Sequence, residues 1–328
     1  MRRRAPRQTW PRDPRARQGS RLLDLRFHSE VLGEWRHAAV WLPPGYAGAR
    51  TAYPTVYLFR GHHVEWLKPF KVSASFRLLP EAPPLCRVEA WRVMDALVRC
   101  GAVPPVILVM PCMSNADGTL SGMASDWIAD DLVKGRQRRG VGTARFGTHL
   151  VEIVREVDLR FNTRKERNGR VAVGFSLGGF MALKIVLSHP ELFCGVGAYD
   201  GSFFYLHQRP GKMGEAPDYL VNHGLFDPVF GRPRDLAYVQ ANSPAALLAN
   251  ATDRNLRETT FFLQAGPQQA EPGDSNFYRM MHVIRLLQMR GVQNVASPCV
   301  LEDGHHDWPT AYRHLAMALQ AFHRLCWR

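Results

Sequence analysis

The stretch "VAVGFSLGGFMALKIVLSHP", residues 171–190, decides how the chain is interpreted. The β-branched and apolar residues at 171–173 are typical of a buried strand, and 177–189 has the composition of a helix that Pro190 stops. Between them, Gly174-x-Ser176-x-Gly178 places a serine at a strand-to-helix turn. This context predicts a nucleophile elbow, a sharp turn that exposes a serine hydroxyl at the end of a strand.

The glycines on either side of Ser176 have a steric role in such a turn. The turn forces the serine into a strained backbone conformation, and neighbours without side chains relieve the crowding. The first N–H groups of the following helix can stabilise an oxyanion, while Gly179 would let that helix pack close to the sheet. The simpler interpretation is a glycine-rich turn with a solvent-exposed serine, because the five-residue pattern alone is weakly specific.

Composition and charge favour an ordinary globular protein with a basic tail. Hydrophobic residues make up 46% of the 328 and charged residues 22%. Of the net charge of +13, residues 1–21 carry +7, and this Arg/Pro-rich segment is predicted to be disordered because it cannot bury itself. It lacks the apolar stretch of a secretory signal, and we expect at most a weak polyanion contact from it.

The partner and compartment predicted from the sequence are a small-molecule substrate and the cytoplasm. No run of 18 apolar residues is present, so we expect no membrane partner. The six cysteines are scattered without a C-x-x-C pair, which favours free thiols in a reducing compartment over a zinc knuckle or a disulfide framework. No cofactor is predicted, and the oligomeric state is left open.

Strands and helices alternate along most of the chain. Two antiparallel strands are predicted between residues 21 and 46, with a turn near Gly33. Further strands are predicted at 53–61, 104–112, 170–175, 195–202, 259–266 and 297–303, and helices at 89–101, 146–161, 177–189, 275–291 and 309–325. This alternation predicts a three-layer α/β domain over 22–328 with a mostly parallel sheet. The Pro-, Gly- and Asn-rich segment 203–255 is interpreted as a lid-like insertion over the carboxyl edge of that sheet.

A serine nucleophile needs a general base, and the last predicted loop supplies one. His305 and His306 follow the predicted strand 297–303 and precede the last helix, so both are candidates for the base. The acid is expected between the serine and the histidine in chain order, after a strand, where Glu271 and Asp274 lie. The predicted oxyanion donors are the backbone N–H groups of Leu177 and His62.

With these residues in place, the chain resembles the esterase D / putative esterase family of α/β-hydrolases. That family includes S-formylglutathione hydrolases, feruloyl and enterochelin esterases, and mycolyltransferases. The resemblance spans roughly 35–325 and rests on the combined order of several short motifs, which are "VWLPPGY", "YPTVYLFRG", "VAVGFSLGGFMAL", "HPELF", "NSPAALL" and "GHHDW".

The resemblance implies an α/β-hydrolase fold and a serine hydrolase that cleaves carboxylic esters through an acyl-enzyme. It selects His306 as the base, from the closing motif, and Glu271 over Asp274 as the acid. Arg60 stands where many relatives have histidine, which puts a cation near the pocket. Trp127 and Trp308 are further candidates for substrate binding, and aromatic residues of the insertion are candidates for specificity; these are Phe203, Phe204, Tyr205, Phe226 and Phe230.

Three alternative functions also fit the sequence. An acyltransferase would use the same triad, with an alcohol in place of water. A metal-dependent enzyme could draw ligands from two histidine pairs, His62-His63 and His305-His306. A non-catalytic protein on a hydrolase scaffold could bind a polyanion.

Overall fold

The computed structural model of the protein describes residues 19–48, 50–61, 89–204, 223–268 and 276–327. Its centre is one seven-stranded sheet, formed by β1 (Arg21–Ser29), β2 (Glu34–Leu42), β3 (Thr55–Phe59), β4 (Ile107–Pro111), β5 (Arg170–Phe175), β6 (Gly195–Tyr199) and β7 (Thr260–Gln264). The spatial order is β1-β2-β4-β3-β5-β6-β7. Neighbouring strands from β4 to β7 run parallel, whereas β1, β2 and β4 pair antiparallel.

Helices cover both faces of this sheet. In chain order they are α1 (Ala90–Arg99), α2 (Phe146–Arg160), α3 (Leu177–Ser188), α4 (Asp227–Phe230), α5 (Leu236–Asn242), α6 (Pro244–Asn250), α7 (Asp253–Arg257), α8 (Asn276–Met289) and α9 (Trp308–Leu325). The mostly parallel sheet with flanking helices confirms the predicted α/β fold class. No helix in the described part of the chain is long and apolar enough to cross a membrane.

The strand residues alternate between two apolar cores. In β3, Tyr57 and Phe59 belong to the core under α2, α3 and α8, while Val56 and Leu58 belong to the core under α1 and α9. Successive side chains of a strand point to opposite faces, so a strand covered on both sides is apolar at every position. This explains why β3, β4 and β5 are buried throughout.

The hairpin and the helix stops lie close to the positions predicted from the sequence. β1 and β2 pair from Arg21 opposite Leu42 to Ser29 opposite Glu34, with Gly33 in the turn at φ 68°. Positive φ is strained for a residue with a Cβ atom and costs glycine little. β1 begins at Arg21, the last residue of the predicted tail, and residues 1–18 lie outside the described ranges.

The prediction of a strand at 297–303 is wrong. The segment makes a single bridge between Ala265 and Val300, with two hydrogen bonds around Ala265. One reason is that the Asn294 side chain occupies the outer edge of β7, where it accepts from the Leu263 N–H at 2.8 Å and donates to the Leu263 carbonyl at 2.9 Å. Pro298 also lacks the N–H that a continuous ladder would need.

The described part of the predicted insertion 203–255 is helical. Residues 223–255 contain α4, α5 and α6 and the start of α7, and α6 packs against α3 and α8. Phe204 contacts Phe180 of α3 and the rings of Phe226 and Phe230, and all four are buried. These aromatic side chains therefore pack in the core, as does Phe203 at 2% exposure, and Tyr205 lies outside the described residues.

Candidate active site

Ser176 lies on a strained turn between β5 and α3. Its backbone has φ 56° and ψ −123°, which non-glycine residues rarely adopt. Its N–H donates to the Tyr199 carbonyl at 3.1 Å, and its own carbonyl accepts from the Ser202 N–H at 3.0 Å. Strain of this kind persists only where the surroundings hold it, and it is concentrated at functional sites.

The two glycines around Ser176 are required by close packing of backbone. A Cβ atom on Gly174 would lie 2.0 Å from the Gly178 carbonyl oxygen. A Cβ atom on Gly178 would lie 2.2 Å from the carbonyl oxygen of Phe59, the last residue of β3. Both contacts are with backbone, which cannot move aside as a flexible side chain can, so the turn needs glycine at both positions.

His306 lies in the loop before α9, and its ring Nδ1 contacts the Asp200 carboxylate. An ionised carboxylate only accepts, so the Nδ1–H donates and the lone pair of the neutral ring is on Nε2. The Asp200 side chain is 5% exposed and that of His306 is 27% exposed. A buried carboxylate thus holds a half-exposed imidazole in the tautomer that a general base requires.

Ser176 and His306 are brought to the same corner of the sheet. The loop 200–203 after β6 contacts both residues. Asp200 contacts the imidazole, and the hydroxyl oxygens of Ser202 and Ser176 are 3.3 Å apart. The ring of Phe175 lies 4.6 Å from the ring of His306, measured between centroids. Both predicted residues therefore lie at the carboxyl ends of β5 and β6.

Tyr199 and Asp307 fix the histidine loop. The Tyr199 hydroxyl, at the end of β6, donates to the His305 carbonyl at 2.8 Å. Burial raises the pKa of Tyr199, and the Asp200 carboxylate raises it further, so the hydroxyl stays protonated. Asp307 caps α9 by accepting from the Thr310 N–H. His305, the other candidate base, is exposed.

One predicted oxyanion donor falls in the described residues. Leu177 is the first residue of α3, where backbone N–H groups have no partner within the helix. Gly61 lies against it, since a Cβ atom on Gly61 would be 3.3 Å from the Leu177 Cβ atom. The other donor, His62, follows Gly61 directly and is outside the described residues, as is His63.

The predicted acids Glu271 and Asp274 also lie outside the described residues, in 269–275. Asp200, which contacts His306, is not among the acids predicted from the sequence. The signal was present, because Asp200 directly follows the apolar strand "GVGAY" and lies between Ser176 and His306 in chain order. The predicted strand 195–202 includes Asp200, whereas β6 ends at Tyr199 and leaves Asp200 in the loop that follows.

The three predicted substrate-binding residues have different surroundings. Trp308 is half-buried, and its ring packs edge-on against Phe175 at 5.1 Å, so it lies beside the serine and histidine. Arg60 is 6% exposed, and its backbone lies against the elbow, 2.7 Å from where a Gly178 Cβ atom would be. Trp127 is 7% exposed and packs on Phe146 in the core, with ring centroids 5.0 Å apart.

Metal ligation is not indicated by the described residues, among which no group of three or more His, Cys, Asp or Glu side chains could hold an ion. The predicted alternative used His62 and His63 together with His305 and His306. Of these four histidines, the structure describes His305 and His306. His306 contacts Asp200, whereas His305 is exposed.

The sheet, the strained serine after β5 and the histidine loop before α9 define a protein of the α/β-hydrolase class. The chain belongs to the family described as "Putative esterase", whose model matches residues 29–315.

Known proteins are similar to this chain in sequence, and solved structures are similar to it in fold. Over 55% of its length the chain is 27% identical to "Esterase Rv1288" of Mycobacterium tuberculosis, and the match covers 32% of that relative, so the chain spans about a third of its length. The structure of a ferulic acid esterase superposes with a TM-score of 0.64 at 19% identity. The match covers 94% of this chain and 99% of the esterase chain. The S-formylglutathione hydrolase of Agrobacterium tumefaciens gives 0.61 at 14% identity, with 94% and 96% covered.

Proposed function

We propose that the protein is a carboxylic ester hydrolase in which Ser176 is the nucleophile and His306 the general base. The observation that carries the proposal is that loop 200–203 contacts both a strained serine at the elbow, through Ser202, and the His306 imidazole, whose Nδ1 is held by buried Asp200. An imidazole that reaches the serine activates its hydroxyl, because the base removes the proton as the oxygen attacks. Similar proteins are named as an esterase and a ferulic acid esterase, which supports the same reaction.

The first half of the proposed reaction forms an acyl-enzyme. Ser176 Oγ bonds to the ester carbonyl carbon while its proton moves to His306 Nε2. The carbonyl oxygen becomes an oxyanion, for which the N–H groups of Leu177 and His62 are the proposed donors. The tetrahedral intermediate then collapses with cleavage of the bond to the alcohol oxygen, which takes the proton from His306.

The second half releases the acid. Water attacks the acyl carbon and gives a proton to His306 Nε2, and the bond from Ser176 Oγ to the acyl group breaks as that proton returns to the serine. In both halves the imidazole becomes positively charged, and a carboxylate on Nδ1 stabilises that charge and fixes the ring. We propose that Asp200 provides this carboxylate; Glu271, with Asp274 second, is the competing assignment from the sequence.

Substrate selection is proposed to come from the surface around this corner. Trp308 and Arg60 adjoin the elbow and are the described candidates for contacts with the ester, whereas the packing of Trp127 favours a structural role. The segment 203–255 is proposed to shape the rest of the pocket.

Turnover of short- and medium-chain p-nitrophenyl esters by the wild type and by Ser176→Ala tests the proposal. We expect measurable release of p-nitrophenol by the wild type, and a loss of several orders of magnitude in the variant. Ser188→Ala, at the other end of α3, is the matched control and should keep wild-type turnover. Equal rates in the wild type and Ser176→Ala would overturn the mechanism.

A further inference from the structure

The loop 200–203 places a second hydroxyl beside the nucleophile. Ser202 is 4% exposed, its Oγ lies 3.3 Å from Ser176 Oγ, and its N–H donates to the Ser176 carbonyl at 3.0 Å. The backbone bond fixes the main chain of Ser202 against that of Ser176, and the burial of Ser202 confines its side chain.

Asn276 determines which way the Ser202 hydroxyl points. It is the first residue of α8 and is 7% exposed, and its Nδ2 lies 3.0 Å from the Asp200 carbonyl and 3.5 Å from Ser202 Oγ. The carbonyl can only accept, which assigns the nearby amide atom as the NH₂ group. Ser202 Oγ then accepts from Asn276, and its own O–H is left to donate.

The mechanism decides the direction of the bond between the two serines. Ser176 must direct its proton to His306, so it has no proton to offer Ser202. Since the Ser202 O–H is available, Ser202 is the donor and Ser176 Oγ the acceptor. We propose that Ser202 is a catalytic hydrogen-bond donor to the nucleophile oxygen and that Asn276 is the residue that positions it; this inference rests on the proposed function.

A donor at that place acts in both halves of the reaction. Ser176 Oγ gains negative charge as its proton leaves and again as it departs from the acyl-enzyme, and a hydrogen bond to it strengthens with that charge. The resting distance of 3.3 Å is long for an O–H···O bond, and such bonds tighten as charge develops on the acceptor. Ser202 therefore lowers both barriers.

The helix α8 also secures the loop that carries this donor. Arg279, one turn after Asn276 and fully buried, donates from Nη1 to the Phe203 carbonyl at 2.8 Å. Asn276 and Arg279 thus hold the carbonyls of Asp200 and Phe203 on either side of Ser202. The loop is fixed at both ends, which keeps Ser202 directed at the serine.

Pre-steady-state kinetics of p-nitrophenyl acetate cleavage by the full chain test the proposal, with acylation and deacylation rates measured separately. We expect Ser202→Ala to slow both steps ten- to a hundredfold, roughly the value of one hydrogen bond to a charged group, with little change in KM. Ser202→Thr keeps the hydroxyl and should recover most of both rates. If Ser202→Thr is folded by circular dichroism and as slow as Ser202→Ala, the hydroxyl is not the cause and the proposal is wrong.

A double-mutant cycle tests the part assigned to Asn276. Asn276→Ala should slow acylation in the wild type and have a much smaller effect in the Ser202→Ala background, because it acts through Ser202. Equal effects in both backgrounds would show that Asn276 does not act through Ser202. If Ser202→Ala matches the wild type while Ser176→Ala is inactive, this inference fails and the proposed function stands; if Ser176→Ala is also active, the proposed function fails.

Discussion

The Asp200 carboxylate contacts Nδ1 of His306 across 106 residues of sequence. The contact forms because β6 ends at Tyr199 and the loop before α9 returns to the same edge of the sheet, where the Tyr199 hydroxyl holds the His305 carbonyl at 2.8 Å. Asp200 itself has φ 46°, and its N–H donates to the Gln264 carbonyl at 2.8 Å. The carboxylate is thus directed at the imidazole by a strained backbone held between β6 and β7.

Three single variants separate the candidate acids. We expect Asp200→Asn to lower kcat for p-nitrophenyl esters by roughly 10³- to 10⁴-fold, because a carboxamide stabilises the wrong imidazole tautomer and cannot stabilise the imidazolium. Glu271→Gln and Asp274→Asn should each retain activity within a few-fold of the wild type. A crippled Glu271→Gln or Asp274→Asn beside an active Asp200→Asn would assign the acid to 269–275 instead.

Gly178→Ala is expected to disrupt the elbow through its contact with β3. The added methyl would lie 2.2 Å from the Phe59 carbonyl oxygen, so strand or helix must shift. We expect a loss of about 3 kcal/mol or more in the free energy of unfolding, measured by urea denaturation. Gly224→Ala is the control, because its added methyl has its nearest neighbour at 3.9 Å. Similar stabilities for the two variants would contradict the packing described for the turn.

Lys184 should make stability depend on pH. It lies on α3, lines a cavity of about 720 Å³ between α2 and α3, and is 7% exposed, with Nζ donating to the Ala124 carbonyl and to Ser125 Oγ. Burial lowers the pKa of Lys184 to about 7, and the Asp126 charge opposes this only in part. Above that pH the folded chain has released a proton that the unfolded chain keeps up to its usual pKa of 10.5.

The unfolded state therefore binds more protons between about pH 7 and 10, and stability attributable to Lys184 rises with pH in that window. As the pH rises, we expect the free energy of unfolding of the wild type to increase relative to that of Lys184→Met by up to about 1.4 kcal/mol per pH unit. Urea denaturation of both proteins across the window measures this, with Lys165→Met as the exposed-lysine control. A difference between wild type and Lys184→Met that stays constant or falls with pH would be the contrary result.

The sequence was sufficient for the parts of the fold that depend on local chemistry. Continuous apolar runs marked β3, β4 and β5, since strands covered on both faces are apolar at every position. Pro190 and Gly101 marked the ends of α3 and α1, which stop at Ser188 and Arg99. The strand predicted at 297–303 failed because the Asn294 side chain bonds Leu263 at the edge of β7, a contact between residues 31 apart that the local pattern does not show.

The site could be predicted only in part, because some of its contacts join residues that are far apart in the sequence. Ser176 and His306 lie in short motifs, so their neighbours in sequence indicate their roles. Asp200 is indicated only by its place after β6, and its contact with His306 depends on how two loops meet in space. No sequence pattern indicates Ser202 or Asn276, because their roles follow from interatomic distances between three elements of the fold.

Covalent labelling of the nucleophile tests the central claim most directly. A fluorophosphonate reacts with an activated serine by forming an Oγ–P bond with loss of fluoride, and peptide mass spectrometry then locates the adduct. The account predicts one stoichiometric adduct on Ser176 of the full chain, slower labelling of Asp200→Asn and none of Ser176→Ala. An adduct on another residue, or equal labelling of the wild type and Ser176→Ala, would contradict it.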